Sequence, residues 1–201
     1  MENNKMVPSN GKKMTTQVLV LAAILTALVV VLQSMGSFIR FGMFSISLVL
    51  IPIVIGAATC GVKIGAWLGF VFGVVVLMSG DAAAFLAISI PGTIITVLVK
   101  GTACGLAAGL VYKALEKKNR YLAVIAAAIV CPVVNTGIFL IGSVIFFLDT
   151  LAQWGNDGGF ASLGEYILFG LVGGNFLFEL GSNIVLSPVI VRLLSIRKKQ
   201  L

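Results

Sequence analysis

Long apolar runs, separated by short polar or charged breaks, make up most of the chain from residue 17 onward. A helix needs about 20 predominantly apolar residues to cross the hydrocarbon core of a bilayer. The pattern predicts six membrane-spanning helices, from apolar runs at residues 18–32, 44–58, 62–78, 92–115, 121–148 and 165–194. We therefore expect an all-α integral membrane protein, folded as a compact bundle of six transmembrane helices.

The composition excludes the main alternatives to a membrane protein. Hydrophobic residues make up 59% of the 201 residues and charged residues only 10%. A soluble domain carries about 45–50% apolar and roughly 25% charged residues, and a soluble chain this short could not bury so much apolar surface. Intrinsic disorder requires low hydrophobicity and high charge, so it is excluded as well.

Polar ends flank the apolar domain. Residues 1–16 are predicted to form a cytoplasmic N-terminal tail, residues 17–196 the six-helix membrane domain, and residues 197–201 a basic cytoplasmic C-terminal tail. With six spans, 12 of the 14 Lys and Arg residues lie on the side that holds both termini. The positive-inside rule places that side in the cytoplasm. The net charge of +7 then needs no nucleic-acid partner.

The residue counts exclude several kinds of chemistry. The chain has no histidine, the commonest acid–base catalyst and transition-metal ligand. Its three cysteines lie in separate apolar stretches, and no GxxxxGK[ST] phosphate-binding run is present. We predict a non-enzymatic protein with no catalytic residue, no metal and no cofactor.

Polar side chains inside the predicted spans are the best candidates for function, because they are costly in a bilayer unless paired or used. Lys100 lies in the fourth span and Asn135 in the fifth, while Asn175 and Glu179 share one face of the sixth with Asn183. Two interpretations remain open. Either Lys100 and Glu179 form an ion pair that fixes the bundle, or these residues line an outward-facing cavity for a small polar molecule.

The external loops add further candidates. Arg40, between two phenylalanines in the loop after the first span, either closes over an anionic or aromatic ligand or anchors the loop at the membrane surface. Trp154 and Tyr166 are expected in an aromatic belt at the outer membrane boundary.

Small residues at four-residue spacing predict close helix packing. One set lies in the third span and one in the fourth: Gly61, Gly65, Gly69 and Gly73, and Gly101, Gly105 and Gly109. The first span carries a weaker pair, Ala23 and Ala27. Packing within the bundle is the simplest explanation for all of them.

Together these features resemble the substrate-binding S components of energy-coupling factor (ECF) transporters. The resemblance covers residues 15–197, and two stretches look like the large vitamin-binding group: GMFSISLVLIPI at 42–53, with the glycines that follow it, and CPVVNTG at 131–137. It implies a non-catalytic subunit that captures a vitamin from outside the cell. Its partners would be a coupling transmembrane subunit, docked at Ala23 and Ala27, and two ATPase subunits.

The resemblance also implies a binding site near the external side. The residues that match that placement by position are Arg40, Lys100, Asn135, Asn175 and Glu179. Because Lys100 can neutralise a carboxylate, pantothenate is the favoured substrate and folate the next. The alternative function is a stand-alone secondary transporter of a small polar solute, with Glu179 as its proton or cation site.

Overall fold

The computed structural model describes residues 15–36, 40–41, 44–45 and 48–198. Most of the predicted N-terminal tail, the end of the C-terminal tail and the predicted role of the Arg40 side chain lie outside the described residues. Within this part, the chain is almost entirely helical. The elements in chain order are α1 Thr16–Gly36, β1 Arg40–Phe41, β2 Phe44–Ser45, α2 Leu50–Cys60, α3 Val62–Met78, α4 Ala83–Leu86, α5 Ile90–Leu115, α6 Arg120–Asp157, α7 Leu163–Glu165 and α8 Gly174–Lys198.

Four helical stretches are long and apolar enough to cross a membrane, by length and composition: Thr16–Gly36, Ile90–Leu115, Arg120–Asp157 and Leu163–Arg192. The last of them runs from α7 into α8. The helices α2 and α3 are also apolar but shorter. Large apolar side chains cover the outside of the bundle, and Phe169 and Val185 are each 74% exposed. Such a surface suits lipid rather than water, as expected for a multi-pass membrane protein.

The second predicted span starts later than its apolar run. Residues Arg40–Phe41 and Phe44–Ser45 pair as a small antiparallel hairpin, so α2 begins only at Leu50 and has 11 residues. Pro52 lies in its first turn, where a missing N–H is tolerated. Gly61 then separates α2 from α3 with a φ of +96°, a conformation that favours glycine. Gly61 is therefore a turn residue and not part of the packing stripe.

The predicted end of the fifth span, at residue 148, falls beside a kink in α6, and the helical stretch beyond that kink was not predicted. The helix α6 bends at Phe147, whose φ of −136° and ψ of 16° are not helical, and then continues to Asp157. Its last turns pack inward: Leu151 is fully buried, and Gly155 lies against the Tyr166 ring. Burial of these residues explains why a stretch of polar appearance remains helical.

The glycine stripes lie at the contact between α3 and α5. A Cβ atom added at Gly69 would overlap the backbone of Gly101, and one added at Gly105 would overlap the backbone of Gly65. The absence of side chains lets these two backbones touch, as small residues do in membrane bundles. The prediction of internal packing is confirmed for these stripes, and the close contact fixes α5 beside α3.

The chain reaches its last helix through an irregular turn. Ser162 accepts a hydrogen bond from the Glu165 backbone N–H at 3.2 Å and starts α7. Residues Tyr166–Gly173 then form a π-helical segment that runs directly into α8. Wide helical turns of this kind are frequent at functional sites. This one places the first turn of α8, with Asn175, at the inside of the bundle.

Candidate functional site

A cavity lies inside the bundle, between α1, α3, α5, α6 and α8, with the α4 turn beside it. The space open to the centre of a water molecule is about 80 Å³. We call this space the polar cavity. Its polar lining residues are Gln33, Asp81, Thr93, Thr96, Lys100, Asn135, Thr136, Asn175 and Glu179, and five phenylalanines contribute to its apolar wall.

The polar cavity thus brings together four of the five substrate-binding residues predicted from the sequence. Lys100 comes from α5, Asn135 from α6, and Asn175 and Glu179 from the first turns of α8. The four-residue spacing along α8 puts Asn175 and Glu179 on one face, as predicted. Asn183 continues the stripe one turn further, fully buried, and its Nδ2 donates to the Glu179 backbone carbonyl at 2.8 Å. It does not line the cavity.

Asn135, Asn175 and Glu179 form what we call the acceptor cluster. The Asn175 Nδ2 atom donates to Glu179 Oε1 over a long 3.5 Å. Glu179 and Asn135 are only 3% and 5% exposed. Among the described residues, neither Glu179 Oε2 nor Asn135 Oδ1 has a hydrogen-bond partner. A buried acceptor without a donor costs about 1–3 kcal/mol, so two beside one cavity call for an explanation.

Lys100 is held by aromatic rings and by opposite charge. Its Nζ atom lies 5.7 Å from the centre of the Phe72 ring and 5.1 Å from that of Phe139, both within cation–π range. It also lies within electrostatic reach of Glu179 and, more weakly, of Asp81. Lys100 is the only cationic side chain among the described residues of the cavity lining.

Gln33 and Asp81 also line the polar cavity, although neither was among the residues predicted for it. Gln33, buried on the inner face of α1, donates from Nε2 to Asp81 Oδ2 at 2.6 Å. Asp81 follows Gly80, which has a positive φ of 85°. Gln33 directly follows the apolar run at residues 18–32 and lies in the last turn of α1, so the sequence pattern does not single it out. Asp81 lies in the polar break between α3 and α4, and its contact with α1 depends on the tertiary fold.

Aromatic residues cover the cavity on the side of α4. Phe85 meets Phe139, Phe147 and Trp154 edge-on, with ring centres 5.1–5.6 Å apart. Tyr166 is buried, and Trp154 packs against the same cluster. Both residues pack against the kinked end of α6, Tyr166 buried and Trp154 partly buried, and their place at the outer membrane boundary stays a prediction.

The two predicted docking residues lie elsewhere. Ala23 and Ala27 are exposed on α1, whereas Ala22, Leu25 and Val29 of that helix are buried in the bundle. No group of three His, Cys, Asp or Glu residues in the described ranges could hold a metal ion. The cavity instead offers hydrogen bonds, one ammonium and an aromatic wall, which are the means of binding a small organic molecule.

Residues 17–191 match the family described as ECF transporter, substrate-specific component. The chain belongs to this family. The match covers every element from α1 to the greater part of α8, so the polar cavity lies wholly within it. No curated protein and no solved structure matches the chain.

Membership has direct consequences for how this S component is understood. It is a substrate-specific membrane subunit of a transporter rather than an enzyme, and the family implies a small-molecule substrate and association with an ECF module. The apolar helices agree with a multi-pass membrane protein. The polar cavity is the part of this subunit suited to hold a substrate.

Proposed function

We propose that this S component captures a small vitamin from outside the cell and delivers it to an ATP-driven importer. The observation that supports this most strongly is the polar cavity, because ionisable and amide side chains are buried around an internal space in a member of a substrate-binding family. Such residues are expensive in a membrane protein unless they serve a purpose.

The proposed topology has six spans in the cell membrane with both termini in the cytoplasm. The short apolar helices α2 and α3 would supply the second and third spans, joined at Gly61. The distribution of Lys and Arg supports this orientation. It would place the α4 turn and the aromatic cover of the cavity on the external side.

The proposed partners are a coupling transmembrane subunit and two ATPase subunits. Ala23 and Ala27 would form the docking site, because both are exposed on α1 and small enough to let another helix approach closely. The sequence contains no GxxxxGK[ST] pattern, which fits a subunit whose partners hydrolyse ATP.

The proposed substrate is a small anionic vitamin, with pantothenate favoured and folate next. Lys100 supports an acid, since its ammonium faces the cavity lining and can form a charge-assisted hydrogen bond with a carboxylate. The apolar wall can cover the carbon skeleton of the same molecule. Arg40 is proposed as a second basic contact from the loop after α1.

Affinity purification of a tagged chain from its native membrane tests the proposal. We expect two ATPase subunits and a coupling subunit to co-purify, and uptake of tritiated pantothenate to depend on ATP. Uptake by the chain alone in proteoliposomes, driven by a proton or sodium gradient, would contradict the proposal and support a secondary transporter that uses Glu179.

A further inference from the structure

We propose that the polar cavity selects solutes that donate hydrogen bonds, so that its substrate is an acid that also carries N–H or O–H groups. This inference rests on the proposed function, because it specifies the chemistry of the solute that the subunit captures. It starts from the acceptor cluster rather than from Lys100.

Two oxygen atoms of the acceptor cluster define the kind of ligand. Glu179 Oε2 and Asn135 Oδ1 are buried at the cavity lining without a partner in the described part of the chain. An ionised carboxylate and the carbonyl oxygen of a carboxamide can only accept hydrogen bonds. A group that contacts these two oxygen atoms favourably must therefore donate a hydrogen bond to them.

Three donors of the cavity lining are directed at other acceptors, while the Thr96 hydroxyl is itself buried without a hydrogen-bond partner in the described part of the chain. Gln33 Nε2 donates to Asp81, and the Thr93 hydroxyl donates to a backbone carbonyl one turn earlier at 2.7 Å. Asn175 Nδ2 is directed at the other oxygen of Glu179. Since these contacts leave Glu179 Oε2 and Asn135 Oδ1 without donors, a bound solute is the natural source of them.

The charges of the lining favour the same kind of solute. Its described ionisable residues are one ammonium, Lys100, and two carboxylates, Asp81 and Glu179. The carboxylate of a simple anion could contact Lys100, but such an anion would leave both acceptors unsatisfied. An acid with an ammonium, amide or hydroxyl group can contact Lys100 with one end while its donors reach the acceptor cluster.

Four probes separate the chemical requirements. Pantothenate carries a carboxylate with amide N–H and hydroxyl groups, and β-alanine carries a carboxylate with an ammonium. Panthenol keeps the donors of pantothenate without its carboxylate, whereas hexanoate is an acid without further donors. Isothermal titration of the detergent-purified chain should show pantothenate or β-alanine binding at least about tenfold more tightly than hexanoate and panthenol.

Two results would overturn the inference. One is hexanoate binding as tightly as either donor-bearing acid, and the other is failure of both donor-bearing acids to bind. The outcome is separable from the proposed function. A chain that recruits ATPase subunits but prefers hexanoate refutes only the donor requirement, whereas a chain that prefers pantothenate but recruits no ATPase refutes only the transport assignment.

Substitutions in the acceptor cluster test the same point on the protein side. Glu179→Gln and Asn135→Leu each remove an acceptor at nearly constant volume, and each should weaken binding of the preferred donor-bearing acid at least about tenfold. Glu165→Gln is the matched control, because it makes the same chemical change outside the cavity lining. If one variant fails to fold, the other still decides. Unchanged affinity in a folded Asn135→Leu or Glu179→Gln chain contradicts the inference.

Discussion

At the scale of residues, the interpretation of the cavity depends mainly on Lys100 and Glu179. They lie within electrostatic reach of each other, yet Lys100 is packed between two rings and one oxygen of Glu179 has no hydrogen-bond partner in the described chain. An arrangement that served only as a structural ion pair would be expected to join the two groups through hydrogen bonds. In the observed arrangement, Glu179 Oε2 can still accept a hydrogen bond from a third group, such as a bound solute.

Substitution of Lys100 tests whether it contacts the substrate. Lys100→Met keeps the stem of the side chain but removes its charge and donors, so tritiated pantothenate should bind at least about tenfold more weakly. Lys63→Met, an exposed position on α3, is the control and should bind as wild type. A folded Lys100→Met chain with unchanged affinity would show that no carboxylate meets Lys100.

The double variant Lys100→Met with Glu179→Gln separates a ligand contact from a structural pair. If the pair only fixes the bundle, removing both charges should restore a stable chain that still binds, because no unpaired charge remains buried. If the two residues hold the substrate, the double variant should run as a single peak in size exclusion and still not bind. Recovery of binding would contradict our account.

Four residues of the cavity could be predicted from the sequence, and the reason is physical. Lys100, Asn135, Asn175 and Glu179 interrupt apolar segments in which polar groups are expensive, so they stand out without any structure. Asp81 could not be selected in this way, because a carboxylate in a polar break is unremarkable until the fold brings Gln33 against it.

At the scale of elements, the contact between α3 and α5 keeps two walls of the cavity in place. Backbone carbonyls of one helix lie where Cβ atoms of the other would be, at Gly69 with Gly101 and at Gly65 with Gly105. Any side chain larger than hydrogen at these positions must push the helices apart. The position of Lys100, next to Gly101, depends directly on this contact.

A single added methyl group should reveal this dependence. Gly101→Ala is expected to destabilise the chain by about 1–3 kcal/mol through overpacking, seen as a thermal unfolding midpoint several degrees lower. Gly137→Ala is the matched control, because a Cβ atom there meets nothing within 4 Å. Equal midpoints for the two variants would disprove the close packing of α3 on α5.

The exposed face of α1 makes a separate prediction about assembly. Ala27→Trp should block close approach of a coupling subunit, so ATPase subunits should no longer co-purify while the isolated chain still binds substrate. Leu28→Trp, the next residue along and also exposed, is the control and should retain the complex. Intact complexes and wild-type uptake with Ala27→Trp would rule out this docking surface.

Sequence periodicity predicts which elements exist better than it predicts where they end. The range of α3 agrees with its apolar run, and α5 begins close to the expected place because Ser89 caps it. The predicted start of α2 was wrong, and the helical stretch beyond the kink at Phe147 was not predicted, since these features depend on hairpin pairing and on burial of Leu151. Contacts between distant segments decide both cases, and no local pattern encodes them.

At the scale of the whole molecule, the orientation of the chain in the membrane decides from which side the cavity captures its solute. In a chain with Cys60 replaced by alanine, an impermeant thiol reagent added to intact cells should label Asp157→Cys and not Lys118→Cys. The remaining native cysteines, Cys104 and Cys131, are fully buried. Labelling of the Lys118 position alone would reverse the orientation, and with it the proposed direction of capture.

The most direct test of the central claim is saturation binding of tritiated pantothenate and folate to the purified chain and to a chain with its cavity filled. Val172→Trp adds a large ring at the cavity lining, and Leu168→Trp makes a comparable change on the exposed side of the same π-helical segment. We predict about one vitamin molecule bound per chain for wild type and for Leu168→Trp, and none for a folded Val172→Trp chain. Wild-type binding by Val172→Trp, or no binding of either vitamin by the wild-type chain, would contradict the account.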